Sequence, residues 1–262
     1  MKFAANVWDD LRDGFSNFDL WWMLATQDIR QRYRRSMIGP FWITITMVVV
    51  IAGLGPLYAR LFNIAASDYV PNLAAGLIAW SLISGGLTEA CNAFIGSDNL
   101  IKSTSAPMTV HVLRAATRSL LLFVHNLVAL IPFLLIYRVN PGWELLLFPV
   151  GLLILSTFIV ASGYLLGTFC ARFRDMQQII LNVLQFAFFL TPIIWKPGAL
   201  NGRTTIIDAN PFFWLIEIIR APMLGYVAKP MHYAGAVGLT VAVAAVGLVF
   251  FARYRRRIAY WV

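Results

Sequence analysis

Three ionisable residues stand inside apolar sequence: Glu89 within residues 73–96, and Arg114 and Arg118 early in residues 109–137. Unpaired charge is expensive at such depth, so each needs a partner or a functional reason. Glu89 falls about eight residues before the inner end of its run, roughly 12 Å along a helix, and both arginines come at similar depth on the next run. One reading makes Glu89 a substrate or proton site. The favoured reading is an intramembrane ion pair locking the two helices. A second group comprises Gln178, Asn182 and Gln185, spaced for one helix face, with Phe186, Phe188, Phe189 and Trp195 crowding the far half. Amides beside aromatic faces suit sugar rings, which offer hydroxyl edges and apolar CH faces, so Gln178, Asn182, Gln185, Phe186, Phe189 and Trp195 are candidate channel residues. Ordinary packing with an interfacial aromatic belt explains them as well. Ser81, Gly85, Thr88 and Asn92 form another small and polar stripe, which faces either another helix or a hydrated path and is read first as a helix-packing face. Gly163-x-x-x-Gly167 fits close helix contact but is common in membrane proteins.

The third group is a run of positive charge. Arg30, Arg32, Arg34 and Arg35 fall within six positions just before Gly39-Pro40 and a long apolar stretch. Such a cluster attracts anionic headgroups or a pyrophosphate. Much other chemistry is missing. The four lysines (Lys2, Lys102, Lys196 and Lys229) never follow Gly, so no phosphate-cradling P-loop exists. The three histidines have no i, i+4 partner, and Cys91 and Cys170 fall in apolar runs without CxxC spacing. No catalytic residue, metal site or cofactor is expected in this chain.

These groups must be positioned by helices in a membrane. The 262 residues are 60% hydrophobic and 13% charged, against about a quarter charged in soluble domains. The net charge of +9 does not indicate nucleic acid, because no soluble domain is left to present a groove. Six stretches reach the roughly 20 apolar residues that span a bilayer: about 40–62, 73–96, 109–137, 144–171, 176–195 and 232–252. Lys and Arg distribute fifteen to one side and six to the other, which places both termini in the cytoplasm. The expected fold is therefore all-α and integral to the membrane. Residues 1–37 form cytoplasmic amphipathic or interfacial helices, residues 38–262 a single transmembrane domain, and residues 253–262 a cytoplasmic tail. In the first helix Phe3, Val7, Leu11 and Phe15 share a face, with Asp9, Asp10 and Asp13 on others. That helix lies on the membrane surface or packs on a partner protein. The outer segment 196–231 contains an apolar helix too short to span, read as a re-entrant hairpin or as a helix over the ends of other spans. Two cytoplasmic loops, 97–114 and 171–178, are compact and charged, features that fix topology or dock a soluble partner.

Several stretches together resemble the membrane subunit of ABC-type polysaccharide exporters. They are "DIRQRYRRSMIGPFW", "NLIKSTSAPMTVHVLR", "ARFRDMQQIILNVLQFAFFLTPIIW", "NPFFWLIEIIR" and "RRRIAYWV". The likeness covers nearly the whole chain and favours the O-antigen branch, with the capsule branch next. The family's Arg-Tyr-Arg-Asp elbow here reads Arg172, Phe173, Arg174, Asp175. The resemblance implies a homodimer of twelve spans with two ATPase subunits beneath it, which bind ATP and Mg. It implies a lipid-linked polysaccharide as substrate and the inner (plasma) membrane as location. It further implies ATPase coupling through Leu100, Ile101, Lys102, Pro107, Arg172, Arg174 and Asp175. Capsule or teichoic-acid export, a small-molecule ABC permease and an ATP-independent channel are the alternatives.

Overall fold

A computed structural model describes residues 7–34, 36–39, 41–195 and 205–262. The described residues are mostly helical, with no strand among them. Helices α1 (Val7–Ser16) and α2 (Phe18–Arg32) precede α3 (Phe41–Leu61) and α4 (Ala66–Asn92). A short α5 (Asp98–Ser103) leads into α6 (Met108–Val128) and α7 (Ile131–Ile136). Then come α8 (Phe148–Arg172), α9 (Asp175–Leu190), α10 (Thr205–Asp208), α11 (Pro211–Met223) and α12 (Pro230–Trp261). Apolar sequence in lipid has no water to satisfy its backbone, so helix is the form that bonds every interior group within one segment. The breaks are local. Gly39, at φ +63°, sits in the turn between α2 and α3, a conformation cheap only without a Cβ. Asn210 caps α11 by accepting from the Phe212 amide at 2.9 Å.

Among the described residues, five segments are long and apolar enough to cross a membrane: Phe41–Leu61, Ala66–Asn92, Met108–Ile136, Gly142–Arg172 and Pro230–Trp261. The expected crossing at 176–195 is a shorter helix. Thr191 turns extended ahead of Pro192, because the proline ring disfavours helical backbone at the residue before it. The 16 residues of α9 rise about 24 Å at 1.5 Å each, less than the roughly 30 Å apolar core. Helix α12 runs unbroken to Trp261, so the residues expected as a tail continue the last apolar helix.

Helix α4 is the axis, with Val70, Ala74, Ala75, Ile78, Ala79 and Ile83 fully buried. It packs on α3, α6, α8, α9 and α11. Helix α11, expected as part of an outer hairpin, is enclosed by α4, α8 and α12, and Leu215, Ile216, Ile218 and Ile219 have no exposed surface. Most of the arm that would complete a hairpin, residues 196–204, lies outside the described residues. Small residues permit these approaches. A Cβ at Gly86 would stand 2.6 Å from Ile159, one at Gly163 2.6 Å from Val112, and one at Gly167 3.1 Å from the Ala90 carbonyl oxygen. At Gly151 it would stand 2.3 Å from the backbone oxygen of Ile218. Gly151→Ala must therefore separate α8 from α11, at an expected cost of about 1–3 kcal/mol, read as a lowered melting temperature of purified protein. Gly85→Ala, with nothing within 4 Å, is the matched neutral control.

Candidate functional site

A groove of about 760 Å³ is lined by α2, α3, α4, α6 and α9. Its α4 wall carries Ser81, Ser84, Gly85 and Thr88, with Glu89 below them. The packing role expected for that stripe is corrected at three of its positions, because Ser81, Gly85 and Thr88 line open space. Asn92 is not on the wall. The reason is helical register. Gly86 and Leu87 on the adjoining face take the close contacts, as Gly86 against Ile159 shows. From α6 come Ser119 and Asn126, whose amide donates to the Ser81 hydroxyl at 3.0 Å. Aromatic rings stand on the same groove. Trp80 lies 5.7 Å from Phe188 and 5.6 Å from Phe212 on α11.

Of the candidate channel residues, Gln185 and Phe189 line this groove and the other four do not. Gln178 donates to Asn182 at 3.2 Å on an exposed part of α9. Phe186 points outward at 67% exposure. Trp195 folds back to donate to the Phe189 carbonyl at 3.0 Å. A period of 3.6 predicts one face, but α9 turns only part of that face toward α4. Trp80, Ser84 and Asn126 escaped the sequence reading, because none is unusual alone and they meet only across helices.

The floor of the groove is ionic. Arg118 donates to Glu89 and, through its other terminal nitrogen, to Asp28 at 2.6 Å. Arg32 reaches Glu89 at 3.4 Å from the groove side. Arg114 does not join Glu89. It closes a bidentate pair with Asp28 at 2.5 and 2.7 Å, which corrects its expected partner. Asp28 belongs to α2, a helix read only as interfacial, and no spacing links it to residues almost ninety positions away. Burial alone would raise the Asp28 carboxyl. The hydrogen bonds and charge of Arg114 and Arg118 outweigh it and hold the group below its ordinary range. Its contribution is thus fully present above the ordinary carboxylate pKa and is lost only as pH falls further. Thermal stability is expected to stay flat from pH 7 down to pH 5 as far as Asp28 governs it, checked by melting curves. Arg30 and Arg34 are exposed beside this floor in sequence, and Arg35 lies outside the described residues.

The loops at 97–114 and 171–178 differ in how much they present. In α5, Ile101 is 4% exposed and packs among Phe94, Met108 and Ile258. This corrects its expected role as a docking contact, since it anchors the segment instead. Leu100 and Pro107 are partly exposed and Lys102 is exposed, Lys102 pairing with Asp98 at 3.8 Å. At the elbow, Arg174 and Asp175 are exposed. Arg172 lies between Phe173 at 5.2 Å and Trp261 of α12 at 5.1 Å, so the tail helix braces the elbow.

Comparison with known proteins places this architecture. The ABC-2 type transporter family model matches residues 19–224. The chain belongs to the ABC-2 type transporter family. This match spans α2 through α11, and so includes every wall of the groove. Among relatives, an O-antigen export system permease protein RfbA of Myxococcus xanthus is 27% identical over 76% of this chain and 77% of its own. A protein of the same name from Klebsiella pneumoniae is 25% identical over 92% of this chain and 94% of its own.

Proposed function

We propose that this chain is the transmembrane permease of an ATP-driven exporter that moves a lipid-linked polysaccharide of O-antigen type from the cytoplasmic to the outer side of the inner membrane. The observation that carries this reading is near full-length similarity to relatives named O-antigen export permeases. The hydroxyl, amide and aromatic lining of the groove supports it. Energy comes from two copies of a separate ATPase that binds ATP and Mg, because the sequence has no P-loop. Two copies of the chain pair, α9 with the residues after it completes a sixth crossing in each, and both termini face the cytoplasm. Trp8, Phe15, Phe18 and Trp22 are exposed on α1 and α2, and these helices lie at the lipid boundary. Leu100, Lys102, Pro107, Arg174 and Asp175 offer themselves to the ATPase, with Arg172 and Ile101 holding that surface from behind.

A pyrophosphate would approach Arg30, Arg32, Arg34 and Arg35. Arg32 is the one that shares Glu89 with Arg118, so an anion drawing on Arg32 would loosen the floor. The sugars would follow past Gln185, Phe189 and Trp80. Co-purification tests the assembly: the tagged chain is expected to bring down an ABC ATPase, and absence of any ATPase from the intact membrane complex would sink the reading. The groove has its own test. Gln185→Ala with Phe189→Ala is expected to lower export about tenfold, equivalent to about 1.4 kcal/mol, without changing the melting temperature, because both side chains face open space. Glu89→Gln is expected to slow export while Arg118 keeps Asp28. Unchanged folding and unchanged transport in that variant would remove Glu89 from both the lock and the path.

A further inference from the structure

Asp10 belongs to the acidic side of α1, which the sequence places toward solvent, yet it is 4% exposed. Its carboxylate caps a helix from which it is separated by nearly one hundred residues. Oδ1 accepts from the Met108 amide at 3.0 Å, and Oδ2 accepts from the Thr109 amide at 3.0 Å and the Thr109 hydroxyl at 2.7 Å. These are the first amides of α6, which its own preceding residue, Pro107, does not cap. A helix start offers unsatisfied N–H groups and partial positive charge, so a carboxylate there is strongly held. The tail joins the same point, with Arg255 Nη1 4.0 Å from Oδ1. Helix α8 joins through Tyr164, whose hydroxyl donates to Thr109 at 3.1 Å. Gly14 lets α1 come this close, since a Cβ there would stand 2.4 Å from the Thr109 side chain. Val7 and Leu11 pack on the cluster that holds Ile101 and Met108.

The same unit of α1 and α2 is fastened a second time. Asp28 on α2 grips Arg114 and Arg118 at the groove floor, about one and a half and two and a half turns along α6 from the Asp10 cap. Helices α1 and α2 thus run as a strap along the inner half of α6, with a carboxylate at each attachment. One attachment lies where the 98–107 segment enters the membrane domain, and the other forms the floor on which Glu89 and Arg32 meet.

We propose that Asp10 is the positioning residue that makes the strap and the 98–107 segment move as one body. A displacement delivered at that segment then reaches the groove floor through α1 and α2 as well as through α6. The partner that delivers it rests on the exporter reading above. The joint itself does not.

The test uses the intact complex in lipid vesicles. Spin labels are placed at Gln27→Cys and Ser103→Cys, both exposed positions, with labelled subunits diluted by unlabelled ones. Cys91 and Cys170 are buried and remain unlabelled. Wild type is expected to show one narrow distance that is the same without nucleotide and when trapped with ADP and vanadate. Asp10→Asn keeps the shape but replaces an accepting oxygen with an NH2 group facing an amide. It is expected to broaden the distance and lower export about tenfold, with basal ATP hydrolysis within about twofold. Gly14→Ala, which keeps the carboxylate but wedges α1 away, is expected to broaden it equally and decides the matter if Asp10→Asn yields no protein. A wild-type distance that changes between nucleotide states would overturn the proposal. So would variants that melt lower yet keep the narrow distance and export at the wild-type rate. Should no ATPase accompany the chain, the exporter reading fails, while the permease alone still reports the joint through the two variants.

Discussion

Arg118→Met permease is expected to lose about 3–5 kcal/mol of stability, the cost of removing one partner from a buried ion pair. The cation is shared. Asp28 and Glu89 both bond Arg118, and their side chains retain only 16% and 12% exposure. Met fills similar volume and packs acceptably, so the loss is electrostatic. Two carboxylates would face each other across a site from which the cation between them has been taken. Arg32 is half exposed and reaches Glu89 at 3.4 Å, which compensates only part of that charge. Arg114 still holds Asp28, so the greater strain falls on Glu89. Adding Glu89→Gln to Arg118→Met should therefore recover part of the stability, a non-additivity expected of residues in one network. Thermal melts of the single and double variants check this. The double variant is expected to fold and still export poorly, because nothing then ties α4 to α6 at the floor of the groove.

The second large effect is expected where α11 meets the start of α4. Arg220 is 3% exposed within α11 and donates four hydrogen bonds to three residues. It bonds Glu217 at 3.0 and 2.5 Å, the Pro192 carbonyl at 3.0 Å and Asn72 at 3.3 Å. A single guanidinium thus ties α11 to α4 and to the break that ends α9. Arg220→Met leaves Glu217, itself 8% exposed, without its cation, and costs about 3–5 kcal/mol. Arg220→Lys should rescue little, since a point charge on a flexible stem cannot serve partners that diverge from a planar fork. The melting temperature gives the magnitude. Faster proteolysis between α9 and α11 would show that the loss is local to this junction, whereas uniform cleavage along the chain would contradict the assigned role.

Both arginines show where reading along the chain stops. Arg118 and Glu89 were legible as a pair, because each is a charge in apolar sequence and such charges seek partners. Arg114 was legible as needing a partner, but the partner was misread. Asp28 is an unremarkable acid on an exposed helix until α2 folds beneath α6. Asp10 is similar, since its place in the amphipathic pattern faces water and only contact with the start of α6 buries it. The stripe Ser81, Gly85, Thr88 was visible as polar spacing. Whether such a face packs or lines a groove depends on what stands opposite, and a helix sequence does not contain its neighbour. Ile101 and the outward residues of α9 misled for the same reason.

The amino-acid sequence by itself determined that this chain is helical and apolar, that most of it can cross a membrane, and that it holds no nucleotide on a P-loop of its own. These follow from composition and local period, because backbone satisfaction in lipid is a property of each segment alone. The tertiary structure decided which polar groups meet. It joined Asp28 and Glu89 through Arg118, seated α11 within the helices, opened the groove beside α4, and set Asp10 on the first amides of α6. The physical reason is range. Helix formation is settled within a few residues. Pairing of charges and caps needs atoms within about 3 Å, drawn here from positions nearly one hundred residues apart.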